Sequence, residues 1–67
     1  MMTFTTPSGR FLIASHGNGW AYGVTDQDTG HSFWVQDYDA EVLQGETADF
    51  TNEDVLHTYM ECIGEEA

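Results

Sequence analysis

Lysine is absent from this chain of 67 residues and Arg10 is its one arginine, whereas twelve residues are Asp or Glu. The formal net charge of −11 exceeds the magnitude of roughly 2–8 that suffices to keep a small domain soluble. Because contacts to phosphates come from Lys and Arg, the composition argues against direct nucleic-acid binding. Anionic lipid surfaces would repel the chain for the same reason, so we expect no membrane partner.

Cysteine and long apolar runs are also scarce. Cys62 is the single cysteine, which excludes an internal disulfide and favours a reduced, cytoplasmic setting. The longest apolar run, residues 11–14, is far too short to span a bilayer. Residues 1–7 lack the basic start and the apolar stretch of a secretory signal peptide. If the chain is encoded by a phage, the expected location is the cytoplasm of the host cell.

Signatures of a zinc site or of a catalytic centre are missing as well. The three histidines and Cys62 lack zinc-finger spacing, and no Cys-x-x-Cys pair occurs. Ser15 and His16 are no more than sequence neighbours, and no pair of carboxylates is distinguished for acid–base work. There is no glycine-rich phosphate loop or cofactor fingerprint. We therefore expect a non-enzymatic protein without catalytic residues, metal ligands or cofactor.

A calcium site is one alternative. Asp26, Asp28 and Asp37 occupy positions 1, 3 and 12 of a twelve-residue window, as in an EF-hand loop. However, an EF-hand needs glycine at position 6, and Gly30 stands at position 5. The flanking residues have the pattern of strands, and a turn explains residues 26–30 without a metal. A small calcium- or metal-binding module is therefore kept as an alternative function.

The residues that are present favour a small α+β domain. Hydrophobic residues make up 40% of the chain and aromatic residues 13%, whereas disordered chains are poor in aromatic and β-branched residues. Strand patterns separated by turn residues occur at 10–16, 20–25 and 32–38. Asn18-Gly19 predicts a type I′ turn between the first two strands, and residues 26–30 form the second turn, with Gly30 in a left-handed conformation.

The clearest predicted element is an amphipathic helix over residues 51–64. Thr51 is a good N-cap, Asp54 completes a pair similar to a capping box, and Gly64 is a natural stop. Apolar side chains recur along the segment with helical spacing, at Val55, Leu56, Tyr59, Met60 and Ile63.

Together these elements predict one domain, residues 1–67. It consists of an irregular arm (1–8), a three-stranded antiparallel β-meander (9–38), a polar connection (39–50) with a short helical turn at residues 40–44, and one C-terminal helix (51–64) packed on the sheet. Trp34 and Tyr38 are expected on the opposite face from Phe33 and Val35, which predicts a patch that binds a partner or forms a homodimer. The expected core consists of Leu12, Ile13, Tyr22, Val24, Phe33, Val35, Val55, Leu56, Tyr59 and Ile63.

Two rows of acids are the candidate partner-binding surface. Asp37, Asp39 and Glu41 alternate, so in an extended segment they would project to one side, about 6.6–6.8 Å apart. On the helix, Asp54, Glu61 and Glu65 share a stripe opposite the apolar face. Such rows are a sparser version of the line of charge along duplex DNA. The candidate residues are Asp37, Tyr38, Asp39, Glu41, Asp54 and Glu61, with Tyr38 as an aromatic anchor.

In size, charge and lack of a catalytic signature, the chain resembles the small acidic inhibitors encoded by phages and other mobile elements. Anti-CRISPR proteins and anti-restriction DNA mimics belong to this class. The resemblance covers the whole chain in composition and involves no motif, so it carries over no functional residue. It implies binding to a basic groove of a host protein or nucleoprotein complex, which would block access of DNA or RNA. The alternative is an acidic adaptor or structural domain of a salt-adapted organism, where Lys-poor surfaces are general.

Overall fold

A computed structural model describes residues 1–66, which form one antiparallel sheet with two helices against one of its faces. The strands lie in sequence order: β1 (Met2–Thr5), β2 (Phe11–His16), β3 (Ala21–Asp26), β4 (His31–Gln36) and β5 (Glu65–Glu66). The helices α1 (Tyr38–Glu46) and α2 (Glu53–Ile63) connect β4 to β5. The α+β class is confirmed, but the described residues contain five strands and two helices, so the prediction of three strands and one helix is wrong.

The alternation of side chains along the strands decides which face the helices cover. In β2, Phe11 and Ile13 are fully buried while Leu12 between them is half-buried, and in β4, Phe33 and Val35 are buried while Trp34 is exposed. Successive side chains of a strand point to opposite faces, so the buried set forms one inner face. The register then aligns the inner-face residues across the sheet, with Ile13 opposite Val24 and Val24 opposite Phe33.

Both edge strands fall outside the predicted meander. Residues 2–5 pair with β2, from Met2 opposite Ser15 to Thr5 opposite Leu12, so the irregular arm predicted for residues 1–8 is wrong. The two residues of β5 pair with the start of β4, beyond the predicted helix. All residues of both strands are exposed. Met2-Thr3-Phe4-Thr5 does alternate apolar and polar residues, but the run is only four residues long, and β5 contains two glutamates and no apolar residue.

Helix α1 replaces most of the polar connection predicted for residues 39–50. Ala40 and Leu43 are its buried residues, and two buried positions give so weak a periodicity that the sequence indicated a short helical turn over residues 40–44 and not a helix of nine residues. Asp37, with φ of 55°, turns the chain out of β4. Tyr38 is consequently the first residue of α1 and not the end of a strand.

The predicted turn and cap details are partly wrong. In the loop between β2 and β3, Gly17 and Gly19 have positive φ but Asn18 does not, so the turn is not type I′. The N-cap of helix α2 is Asn52, whose side chain makes no capping hydrogen bond. Thr51, the predicted N-cap, lies one residue earlier, and its hydroxyl donates to the Ala48 carbonyl at 2.8 Å. The left-handed conformation predicted for Gly30 is confirmed, with φ of 80°.

The core differs from the predicted one at several positions. Leu12 is only half-buried because it shares β2 with Ile13 and points to the other face. Ile63, the last residue of α2, is 46% exposed, so its assignment to the core is wrong. Five residues of the buried hydrophobic cluster were not predicted: Phe11, Ala40, Leu43, Phe50 and Met60. Ala21, outside that cluster, is also fully buried. No helix within residues 1–66 combines the length and apolar character that crossing a bilayer requires.

Thr47 organises the sharp link between the two helices. Residues 48–50 all have positive φ, a conformation that is costly for residues other than glycine. The fully buried Thr47 hydroxyl donates to the Leu43 carbonyl at 2.7 Å and accepts the Phe50 backbone N–H at 3.0 Å. Its own carbonyl accepts the backbone N–H groups of Thr51 and Asn52. One side chain therefore holds the strained link in place.

We expect Thr47→Val to lower the free energy of unfolding by about 1–3 kcal/mol, because the Phe50 N–H loses a buried acceptor. Chemical denaturation measures the change. Thr58→Val is the matched control, since the Thr58 hydroxyl also donates to a carbonyl four residues earlier but is exposed. Equal effects of the two substitutions would show that Thr47 does not hold the link.

The buried stripe of α2 provides a second test. Leu56 is fully buried against the sheet, so Leu56→Ala should cost about 2–5 kcal/mol of unfolding free energy. The control is Ile63→Ala on the same helix, where the exposed side chain leaves a smaller cavity. Thermal and denaturant unfolding compare the two variants, and a loss at Ile63 as large as that at Leu56 would contradict the packing.

Candidate partner-binding surface

The first candidate row does not have the predicted geometry. Asp39 and Glu41 lie in the first turn of α1, and Asp37 is its N-cap, with its carbonyl accepting the Glu41 N–H at 3.2 Å. The extended row with regular spacing is therefore wrong. Residues two apart on a helix point to different sides, whereas Asp37 and Glu41, four apart, are neighbours. All three side chains are exposed around the start of α1, beside Tyr38, which is 74% exposed.

The second candidate row lies on α2. Asp54 and Glu61 are exposed and seven residues apart, so they share one stripe of the helix. Leu56 and Met60 are buried on the side that faces the sheet. Glu65, which was predicted to continue this stripe, belongs to β5 instead. The structure thus places the six candidate residues in two exposed groups, one at the start of α1 and one along α2.

Arg10 makes no ion pair within 4.0 Å with either group of described residues, because it is bound to a buried carboxylate. Its Nε donates to Asp26 Oδ1 at 3.0 Å and its Nη2 donates to Asp26 Oδ2 at 2.8 Å. Asp26 is 2% exposed, and its Oδ1 also accepts the backbone N–H of Asp28. The hydrogen bonds from Arg10 lower the pKa of Asp26 to about 2. The one permanent side-chain cation is therefore used inside the fold.

The remaining acids on the helical side form no ion pair within the part of the chain that the structure describes. Among residues 1–66, ion pairs within 4.0 Å join Arg10 to Asp26, Arg10 to Asp28, and His31 to Glu66. None of them involves an acid of α1, of the link or of α2. These acids are Asp39, Glu41, Glu46, Asp49, Glu53, Asp54 and Glu61, and Asp37 precedes them.

Three of these acids have structural contacts, and one of them, Asp49, accepts a hydrogen bond from the Gln44 side-chain amide at 2.8 Å. Glu53 accepts hydrogen bonds from the Thr6 hydroxyl at 2.6 Å and from the Ser8 hydroxyl at 2.5 Å, which ties the start of α2 to the segment between β1 and β2. The bonds from Ser8 and then from Thr6 lower the pKa of Glu53. Glu46 accepts from the Tyr59 hydroxyl at 3.3 Å and so links α1 to α2. The other acids of the helical side are free to meet a partner.

A second surface, which the sequence indicated only in part, lies on the opposite side of the sheet. We call it the open face: the side chains of β1–β4 that point away from the helices, together with Trp20. Trp34 is 47% exposed and Trp20 is 51% exposed, with their ring centroids 6.4 Å apart. The Trp34 ring also lies 4.8 Å from that of His16. Trp34 was expected on the opposite face from Phe33, as observed. Trp20 was expected to begin the strand predicted over residues 20–25, which is wrong because Trp20 precedes β3 in the turn.

The open face carries no charged side chain on β1–β4. Its central cross-strand row runs from Thr3 through Ala14 and Gly23 to Trp34. A second row consists of Thr5, Leu12, Thr25 and Ser32 and reaches Glu65 only on the edge strand β5. The helical side and the open face are thus separated by the sheet and differ completely in charge.

The geometry gives no support to a metal site. Within residues 1–66, no group of three or more His, Cys, Asp or Glu side chains is arranged to hold a metal ion. Asp26, the first residue of the calcium-like window, is buried against Arg10, and the window itself spans a β-hairpin. A cleft of about 320 Å³ beside this ion pair is lined by residues that include His31, His57 and Glu61.

In comparisons with known proteins, no family model, no curated protein and no solved structure matches this chain. Its function is therefore inferred from the charges, the exposure and the contacts described above.

The ion pair between Arg10 and Asp26 predicts a specific pH dependence. The pKa of Asp26 is about 2 in the folded state, below its ordinary value of 3.8. Its stabilising contribution is therefore present above the unfolded pKa and is lost as the pH falls through this window. Arg10→Gln leaves the buried carboxylate without its cation, so the variant should be less stable than the parent at neutral pH.

This deficit should shrink as the pH falls from about 4 to 2, since protonation removes the uncompensated charge. Denaturant unfolding of both proteins across that range measures it. Asp28→Asn is the control, because Asp28 is exposed and lies 3.6 Å from Arg10, and it should change little. A deficit that stays constant into acid would contradict the assignment.

Proposed function

We propose that this chain is a non-enzymatic acidic inhibitor that binds a basic, nucleic-acid-binding surface of a host defence complex. It would act in the manner of an anti-CRISPR protein or an anti-restriction DNA mimic and block access of DNA or RNA. The observation that carries the proposal is the distribution of charge: the exposed acids of the helical side have no cationic partner within residues 1–66. A surface made only for solubility mixes both signs.

The spacing of the acids resembles that of phosphates in DNA and so suits a target surface that binds DNA. Seven residues of helix separate Asp54 from Glu61, a rise of about 10 Å. Along the axis of duplex DNA each strand carries one phosphate per about 3.4 Å, so the two carboxylates are separated by an axial distance of roughly three phosphates. Asp37, Asp39 and Glu41 add a cluster on the neighbouring helix. The helical side thus offers a partial, sparse imitation of a nucleic-acid backbone to Lys and Arg side chains.

Binding to such a target would be steered by charge. Acids on an exposed helical face lose little solvation before contact and attract a basic groove over the Debye length, about 10 Å at 0.1 M salt. Attraction of this kind raises the association rate, and salt reduces it. Tyr38 would supply an apolar anchor among the acids, since Tyr is enriched at interface hot spots.

Charge reversal on α2 tests the proposal. The assay is competition by fluorescence anisotropy, in which the chain displaces labelled DNA from purified Cas nuclease complexes and restriction enzymes. The parent should displace the DNA with an inhibition constant that rises with salt. Asp54→Lys combined with Glu61→Lys should raise that constant by about tenfold or more, because like charges then face each other.

The matched control is Glu65→Lys combined with Glu66→Lys, which changes the net charge equally but lies on the edge strand β5. It should have a smaller effect. Equal effects of the two double variants would mean that only net charge matters. Failure to displace nucleic acid from any basic complex would favour the salt-adapted structural domain instead.

A further inference from the structure

We infer that the open face is the contact surface of a homodimer, in which the sheets of two copies pack against each other and both helical sides point outward. The inference concerns a different surface from the proposed inhibitor site. It does not depend on that function, because its test involves no target.

The first observation is exposed aromatic area on a sheet face that no helix covers. Trp34 and Trp20 are each about half exposed, and His16 lies against Trp34. The Nε1 of Trp34 donates to Gln36 Oε1 at 3.0 Å, so its hydrogen bond is satisfied and the ring remains as apolar surface. Contiguous exposed aromatic area of this kind marks an interaction site.

Charge selects a second copy as the occupant. Each copy carries a net charge of −11, so most ways of joining two copies would bring carboxylates together, which is strongly unfavourable. The open face is the exception, because its side chains on β1–β4 are uncharged and Glu65 lies only at the far edge. Two copies meeting there keep their helical acids on opposite outer sides, with the two sheets between them.

The shape of the open face is complementary to that of a second copy. Trp34 lies at one end of its cross-strand row, and its ring packs over Gly23, which has no side chain. The nearest ring atom is 3.6 Å from the position that a Cβ on Gly23 would occupy. Ala14 and Thr3, further along the row, are short. A twofold axis that lies between the two faces and runs parallel to the strands therefore places each Trp34 over the short side chains of the other copy. Isologous contacts of this type are the commonest in soluble oligomers.

The size of the face sets the expected strength. Four strands about 4.8 Å apart and roughly 17–20 Å long give a patch of a few hundred Å² per copy. Two such patches bury about 700 Å² in total, less than a standard interface of about 1,600 Å². We therefore expect a weak dimer that forms only at high protein concentration. Salt should strengthen it by screening the repulsion between the copies, which is opposite to its effect on the proposed inhibitor site.

Sedimentation equilibrium over a range of protein and salt concentrations tests the inference. The parent should pass from monomer to dimer as its concentration rises, at lower concentration in molar salt, with a blue shift of tryptophan fluorescence. Thr3→Glu adds a charge to each half of the interface and should raise the dissociation constant by about tenfold or more.

Thr58→Glu is the matched control, because it makes the same change at an exposed position of α2 and should leave the dimer nearly intact. Circular dichroism checks that both variants keep the fold. A chain that stays monomeric at millimolar concentration in molar salt would overturn the inference. A dimer that Thr58→Glu weakens as much as Thr3→Glu would overturn it too, since its contact would then lie elsewhere.

Discussion

The contact between the inner face of the sheet and the two helices has to hold this fold together against repulsion among its carboxylates. Phe11, Ile13, Val24 and Leu56 are fully buried in that contact. A domain of this size buries only about 60% of the surface of its unfolded chain, so its apolar core is small. The helices that complete the core also carry most of the unpaired acids, and each packing contact therefore opposes their mutual repulsion directly.

The distribution of polar contacts follows from this constraint. Arg10, the only Lys or Arg, neutralises Asp26, the buried acid for which water cannot provide solvation. Neutral hydroxyls of Thr6 and Ser8 hold Glu53, and the Thr47 hydroxyl fixes the link between the helices. Since no other guanidinium or ammonium side chain exists, the exposed acids remain unpaired and concentrate on the helical side. The side chains of β1–β4 on the open face of the sheet include no Asp, Glu, Lys or Arg.

The sequence predicted the parts of the fold in which burial produces a pattern. The three central strands and α2 alternate or repeat with the periods of their structures, and Leu56 and Val24 were identified as core residues. Only a short helical turn was predicted where α1 lies, because Ala40 and Leu43 are its only buried residues. Strands β1 and β5 were missed because they are short and exposed. The acids were readily found by composition, but the spacing of Asp37, Asp39 and Glu41 depended on the backbone, which proved helical. Trp20 was misplaced because a turn residue beside a strand has no periodicity to locate it.

Segregation of an acidic binding side from an uncharged aromatic side is the central claim, and a nuclear magnetic resonance titration with a short oligolysine peptide tests it most directly. The peptide stands in for the basic groove of a target. At low salt, amide signals of α1 and α2, including those of Asp39, Asp54 and Glu61, should shift on addition of the peptide. The indole N–H signal of Trp34 should not move, and the helical shifts should vanish at high salt. Shifts centred on Trp34, or spread evenly over both faces, would contradict the account.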